Sequence, residues 1–147
     1  MNIKFKRLHP DAKIPQKAHE DDFCYDVWAV SEEEIAPNVW KYGFGFAIEI
    51  ERETRNDFKP GITIRPRSSI YKTGMVLSNS LGTIDFSFRG EISAVFYHVM
   101  PNMPRYKVGD KIAQLHMDFS YDLEFNEVEQ LSETERGTGG YGSSGKK

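Results

Sequence analysis

Apolar residues return at every second position through much of this chain, a period that fits extended strands rather than helices. Phe44, Phe46, Ile48 and Ile50 interleave with Gly45, Ala47 and Glu49. Ile62 and Ile64 alternate with Thr63 and Arg65, and Ile92, Ala94, Phe96 and His98 oppose Ser93, Val95 and Tyr97. Each run reads as a half-buried strand. Shorter runs lie at Ile3 to Leu8, Tyr25 to Val30 and Lys111 to Met117. Gly, Pro, Asn and Asp punctuate them at the short intervals found in sandwiches and barrels. The pattern predicts an all-β, jelly-roll-like sandwich or barrel. Only Phe125 to Glu135 suggests a helical turn, through Val128 and Leu131.

A chain of 147 residues with 39% apolar content builds one domain with one core. Its net charge of -3, with Lys and Arg scattered, excludes the clustered basic face of a general nucleic-acid binder. An anionic ligand would be held by a few placed groups. Cys24 stands alone, so no intrachain disulfide forms and a reducing compartment is expected. Met1 to Lys6 lacks the apolar core of a signal peptide. No apolar run approaches the roughly 20 residues that span a bilayer. The expectation is a soluble, cytoplasmic protein with no membrane partner.

After Glu135 the chain changes character. Residues 137–145 hold five glycines in nine positions, a composition that cannot pack a core. The division is therefore a β domain over 1–135 and a flexible Gly-rich arm over 136–147. Tyr141, with Arg136 before it and Ser143 and Ser144 after, gives that arm a stacking ring, a guanidinium and two hydroxyls.

The stretch Gly82-Thr83-Ile84-Asp85-Phe86-Ser87-Phe88-Arg89-Gly90-Glu91 carries the most chemistry. It sets one carboxylate, Asp85, on a tight turn between two strand-like runs. Such an acid can activate water over a planar, sugar-bearing ligand, although an Asp in a turn can equally cap its own backbone. His9, His19, His98 and His116 show no metal-ligand spacing, and Cys24 pairs with none of them.

Five ordered segments resemble the motifs of the trimeric dUTP diphosphatases (dUTPases). They are Asp22 through Ala29, Pro66-Arg67-Ser68-Ser69, Gly82 through Glu91, Gly109-Asp110-Lys111-Ile112-Ala113-Gln114-Leu115, and Arg136 through Gly145. The resemblance implies a β jelly-roll that forms a homotrimer, each active site being assembled from more than one chain. It implies hydrolysis of dUTP to dUMP and pyrophosphate by attack of water at the α-phosphorus. That activity limits uracil in DNA and supplies dUMP. Mg²⁺ would ride on the nucleotide phosphates and water, with no metal ligand from the protein.

By the same resemblance Asp85 orients and deprotonates the water, and Phe88 stands where the family carries a Tyr against the deoxyribose. Losing the phenolic oxygen keeps the flat face that excludes a 2′-hydroxyl. Arg67, Ser68 and Ser69 would grip the α- and β-phosphates, unless Arg67 pairs internally with an acid such as Asp26. Gln114 would contact phosphate at a subunit junction. Asn79 and the main chain of Thr83 and Ile84 would read uracil. Tyr141 replaces the usual Phe over the base, while Arg136, Ser143 and Ser144 would meet the outer phosphates. Phe23 and Cys24 sit where Ala and Gly are commoner, which predicts an altered turn with a buried rather than reactive thiol. Ser93 is smaller than its usual counterpart.

Two rivals share this architecture. A dCTP deaminase of the same superfamily would account for Arg67-Ser68-Ser69 and the short spacing to Gly74. Deamination needs a Glu to shuttle protons, and that position is Val95, while the supporting Arg appears as Lys72. A trimeric β scaffold or regulatory binding protein would need neither Asp85 nor the arm.

Overall fold

The computed structural model describes residues 2–51 and 58–140. Ten strands form three antiparallel sheets, in keeping with the all-β, jelly-roll-like expectation. β1 (Ile3–Arg7) pairs with β5 (Phe46–Ile50). A four-stranded sheet takes the order β2 (Tyr25–Trp28), β10 (Lys111–Ser120), β6 (Lys59–Pro66), β8 (Gly82–Ile84). A second takes the order β3 (Ser31–Ala36), β4 (Val39–Gly43), β9 (Ser93–His98), β7 (Met75–Leu77).

The core lies between the two larger sheets. Val27, Ile62, Ile64, Ile84, Ile112 and Leu115 come from the first or its margins and meet Tyr42, Met75, Leu77, Ala94 and Phe96 of the second. Every second residue of β9 turns inward, as its alternation predicts: Ala94 and Phe96 are buried and Tyr97 is exposed. β5 departs from the half-buried expectation. Phe46, Ala47, Ile48 and Ile50 are all buried, so Glu49 is the strand's only partly exposed side chain. It meets Lys4 of β1 at 2.8 Å. β6 departs in the same way: Thr63 is buried, its hydroxyl donating to Asp118 at 2.6 Å, which satisfies the polar group that burial would otherwise strand.

The helical turn expected over Phe125 to Glu135 does not form. Residues 121–134 have no regular structure, and Phe125 and Leu131 are 89% and 86% exposed. A helix this short is marginal without a surface to bury its apolar face. The one helical element among the described residues is a 3-10 turn at Ser68–Lys72. Among the same residues no helix is long and apolar enough to cross a membrane.

The loop joining β4 to β5 is tightly packed and backbone-constrained. Gly45 has φ +72, a backbone state that glycine adopts without penalty. A Cβ there would lie 2.7 Å from both His9 Cβ and Val30 Cγ2. The Gly45 N–H also donates to Glu91 at 2.8 Å, and its carbonyl accepts from the Leu8 and His9 amides. Gly45→Ala should therefore cost about 2–4 kcal/mol through left-handed strain and overpacking. Urea unfolding of the two chains checks this; a change below ~0.5 kcal/mol would contradict the geometry.

Candidate active site

β8 is an edge strand, so one side of its backbone is left without a ladder partner. It lies against β6 with Gly82 opposite Ile64, Thr83 opposite Thr63 and Ile84 opposite Ile62. Glycine eases the close approach: a Cβ on Gly82 would meet Ile64 Cβ at 3.2 Å and Asn79 Nδ2 at 3.4 Å. Asn79 lies in the connection that follows β7, which turns through Ser80 at φ 57. The Asn79 amide and the free edge of β8 thus face one hollow of about 190 Å³, which Asp85, Phe88 and Ser93 also line.

Asp85 follows β8 directly and is exposed. The Phe88 N–H donates to the Asp85 carbonyl at 3.0 Å, so the turn is closed without the Asp85 side chain. No hydrogen bond or ion pair joins the Asp85 carboxylate to any described residue. The acid is not spent on capping its own backbone. The Phe88 ring lies against Gly90, where a Cβ would come within 2.5 Å of the ring's Cζ, and the side chain remains 45% exposed.

A second group of the expected residues gathers elsewhere. Arg67 precedes the 3-10 turn at the end of β6, and its carbonyl accepts the Ile70 amide at 3.0 Å. Its Nε donates to Asp26 Oδ1 at 3.0 Å, the internal pairing anticipated as an alternative role. Lys111 Nζ takes the other oxygen of Asp26, also at 3.0 Å. Two cations thus flank one buried carboxylate, and Asp22 adds a second acid to the same recess. Gln114 Nε2 donates to the Pro66 carbonyl at 3.1 Å, tying β10 to the start of the same turn. Asp22, Phe23, Cys24, Arg67, Ser68 and Gln114 surround a recess of about 360 Å³. Ser68 is exposed beside it and Ser69 half-buried. Cys24 is partly buried, and desolvation pushes its thiol above the ordinary range, which disfavours the reactive thiolate. Phe23 stacks on His116 with ring centres 4.3 Å apart.

Asp85 and the recess are set apart along β6. Asp85 sits just past the Ile84–Ile62 pair, whereas Ser68 follows Pro66 at the far end. At about 3.3 Å per strand residue this separates them by roughly 15–20 Å along the sheet. Arg136 lies farther along the chain in an exposed turn, its Nε donating to the Gly139 carbonyl at 2.9 Å. Tyr141, Ser143 and Ser144 lie outside the described residues.

Three side chains that the sequence reading passes over hold these groups in place. They are Lys111 beside Asp26, Glu91 on the Gly45 amide, and Arg89, whose guanidinium reaches the Phe86 and Phe88 carbonyls. Each lies inside a motif segment, which is the signal that could have found it.

The dUTPase family model matches residues 10–145, nearly the whole chain. A deoxyuridine 5'-triphosphate nucleotidohydrolase of Picosynechococcus is 36% identical over 149 residues, covering 99% of each chain. Among solved structures, the dUTPase of Staphylococcus bacteriophage 80alpha with dUPNHPP superposes with TM-score 0.76 at 24% identity, covering 98% of each chain. A mutant dUTPase from phage phi11 of S. aureus, in which a structural Mg(II) ion is coordinated, gives TM-score 0.71 at 18% identity over 89% of this chain and 99% of its own. The two phage proteins share the fold, and the sequence match spans every segment described above: the chain belongs to the dUTPase family.

Proposed function

We infer that this protein hydrolyses dUTP to dUMP and pyrophosphate, by attack of water at the α-phosphorus. The observation that carries the reading is an unpaired carboxylate, Asp85, at the mouth of a hollow suited to a pyrimidine nucleoside. Asn79 and the free backbone edge at Thr83 and Ile84 complement the O2, N3–H and O4 pattern of uracil, and cytosine's amino group would leave a donor facing a donor. The flat face of Phe88 lies against the deoxyribose, and a 2′-hydroxyl finds no room. Asp85, at the sugar end of that hollow, takes a proton from water as it attacks. The rival deamination lacks its proton shuttle, because Val95 is an apolar residue opposite Lys41 on β4.

The recess beyond β6 serves the triphosphate. The Ser68 hydroxyl and the Ser68 and Ser69 amides of the 3-10 turn supply neutral donors, while the Arg67 guanidinium beside Asp26 stabilises charge that builds on the α–β bridge oxygen. Arg67 acts mainly by fixing this turn to Asp26, and Gln114 by fixing β10 to it. Asp85 beside the α-phosphorus and Ser68 on the adjoining phosphates would have to lie much closer together than the roughly 15–20 Å that separates them along one chain. This supports a homotrimer in which the hollow of one copy faces the recess of the next. The arm from Arg136 onward then closes over the nucleotide, with Tyr141 on the base and Arg136, Ser143 and Ser144 on the outer phosphates, so that water other than the nucleophile is expelled.

Mg²⁺ enters with the substrate. Among the described residues no group of three or more His, Cys, Asp or Glu is disposed to hold a metal, and Asp26 already serves two cations. Phosphate oxygens and water would be its ligands. Once bound it neutralises triphosphate charge. A soluble cytoplasmic location completes the reading, consistent with one unpaired cysteine and the absence of a membrane-spanning helix among the described residues.

Asp85→Asn should lower kcat on dUTP by about 10²–10⁴-fold while the chain still binds a non-hydrolysable analogue. Pyrophosphate release and calorimetric titration measure the two quantities, and near-normal turnover would remove Asp85 from its role. Truncation after Glu135 should leave an assembly of unchanged sedimentation and thermal stability with little activity, since Arg136 to Gly140 are largely exposed and the rest of the arm is rich in glycine. Loss of folding on truncation would contradict its assignment as a lid.

A further inference from the structure

The turn that carries Asp85 and Phe88 is short, exposed and closed by a single main-chain hydrogen bond. Left to itself, such a turn samples many conformations. Its outgoing limb is fastened firmly: Glu91 accepts the Gly45 amide, the Ile92 N–H donates to the Phe46 carbonyl at 2.9 Å, and the Phe44 N–H donates to the Ile92 carbonyl at 3.0 Å. These bonds lie beyond the turn and do not set the dihedrals of Phe86, Ser87 and Phe88.

Arg89 does. Its Nη1 donates to the Phe86 carbonyl at 2.7 Å and to the Phe88 carbonyl at 2.9 Å, so one nitrogen spans the turn immediately after Asp85. On its other side Nε faces Glu49 Oε2 of β5 at 3.8 Å. Glu49 is held in turn by Lys4 of β1, whose Nζ also lies 3.5 Å from Glu51. We propose that Arg89 is a positioning residue for the reaction, a brace that sets the turn holding Asp85 and Phe88 against the β1–β5 sheet. This rests on the reading of Asp85 as the group that activates water.

Two magnitudes separate this role from a structural one. Exposed ion pairs such as Arg89–Glu49 contribute little to folding, with a median of about 0–1 kcal/mol. A displacement of about 1 Å in a reacting group can cost roughly 100-fold in rate. Losing the brace should therefore leave the fold and depress the chemistry. Lysine cannot replace it, because one ammonium centre on a shorter reach cannot serve both carbonyls and Glu49 together.

The test compares wild type, Arg89→Ala, Arg89→Lys, Glu49→Gln and Asp85→Asn in the full-length protein, measuring kcat, KM for dUTP with Mg²⁺, and thermal unfolding. Arg89→Ala should lose about 10–100-fold in kcat with KM within roughly threefold of wild type and the unfolding midpoint little moved. Arg89→Lys should recover little of this. Glu49→Gln, which spares the turn itself, should lose only about two- to fivefold in kcat. Guanidinium chloride at non-denaturing concentration should restore several-fold activity to Arg89→Ala and none to Asp85→Asn. Three results would overturn the proposal: unchanged kcat in Arg89→Ala, a raised KM with kcat kept (marking a nucleotide contact), or full recovery in Arg89→Lys. Turnover retained by Asp85→Asn would instead sink the reading of the acid on which the proposal rests.

Discussion

The antiparallel register of β6 governs this structure. One neighbour, β8, presents Asp85 beyond Ile62, and the other, β10, presents Gln114 opposite Arg65, toward the end of β6 that leads into Arg67 and Ser68. A slip of one residue would turn Thr63 and Arg65 into the core and Ile62 and Ile64 out of it. The core contacts of those isoleucines therefore hold the two halves of the site at a fixed spacing. On that spacing rests the proposal that the site is shared between copies.

Around this frame the polar groups divide into those that are satisfied and those left open. Asp26, Arg67, Lys111, Gln114 and Glu91 all have partners within the chain, and each partner fixes a segment near the site. The carboxylate of Asp85 and the outer edge of β8 have none among the described residues. Groups left open on a braced scaffold are ready for a ligand at no cost in reorganisation. The turn of Asp85 depends on such bracing, because it buries too little to be rigid by itself.

Several strands were legible in the sequence: β9 through the alternation of Ala94 and Phe96, and β1 and β10 as shorter runs from Ile3 and Lys111. β3 was not, because Glu32, Glu33 and Glu34 give it a charged face suited to a sheet edge and no apolar period. The 3-10 turn at Ser68–Lys72 gave no periodic signal, being a single turn. Phe125 to Glu135 misled in the other direction, since its apolar residues have no surface in the chain to cover. The candidate side chains were legible because they sit in ordered motifs, and the pairing of Arg67 with Asp26 could be named as a possibility. The distance between Asp85 and Ser68 could not, because it depends on which strands lie side by side. The clamp of Arg89 on two carbonyls was hidden for a related reason: it is a matter of geometry, and the residue type alone does not specify it.

The central claim is that a working site joins Asp85 of one copy to the phosphate recess of another. Unfolding and refolding an equal mixture of Asp85→Asn chains with Ser68→Ala/Gln114→Ala chains tests it most directly. Each variant alone should be nearly inactive. In the mixture, roughly one site in four would combine an intact acid with an intact recess, and dUTP turnover should return to about that fraction of wild type. A mixture no more active than its two components would show that both groups must come from the same chain, and the account would fail.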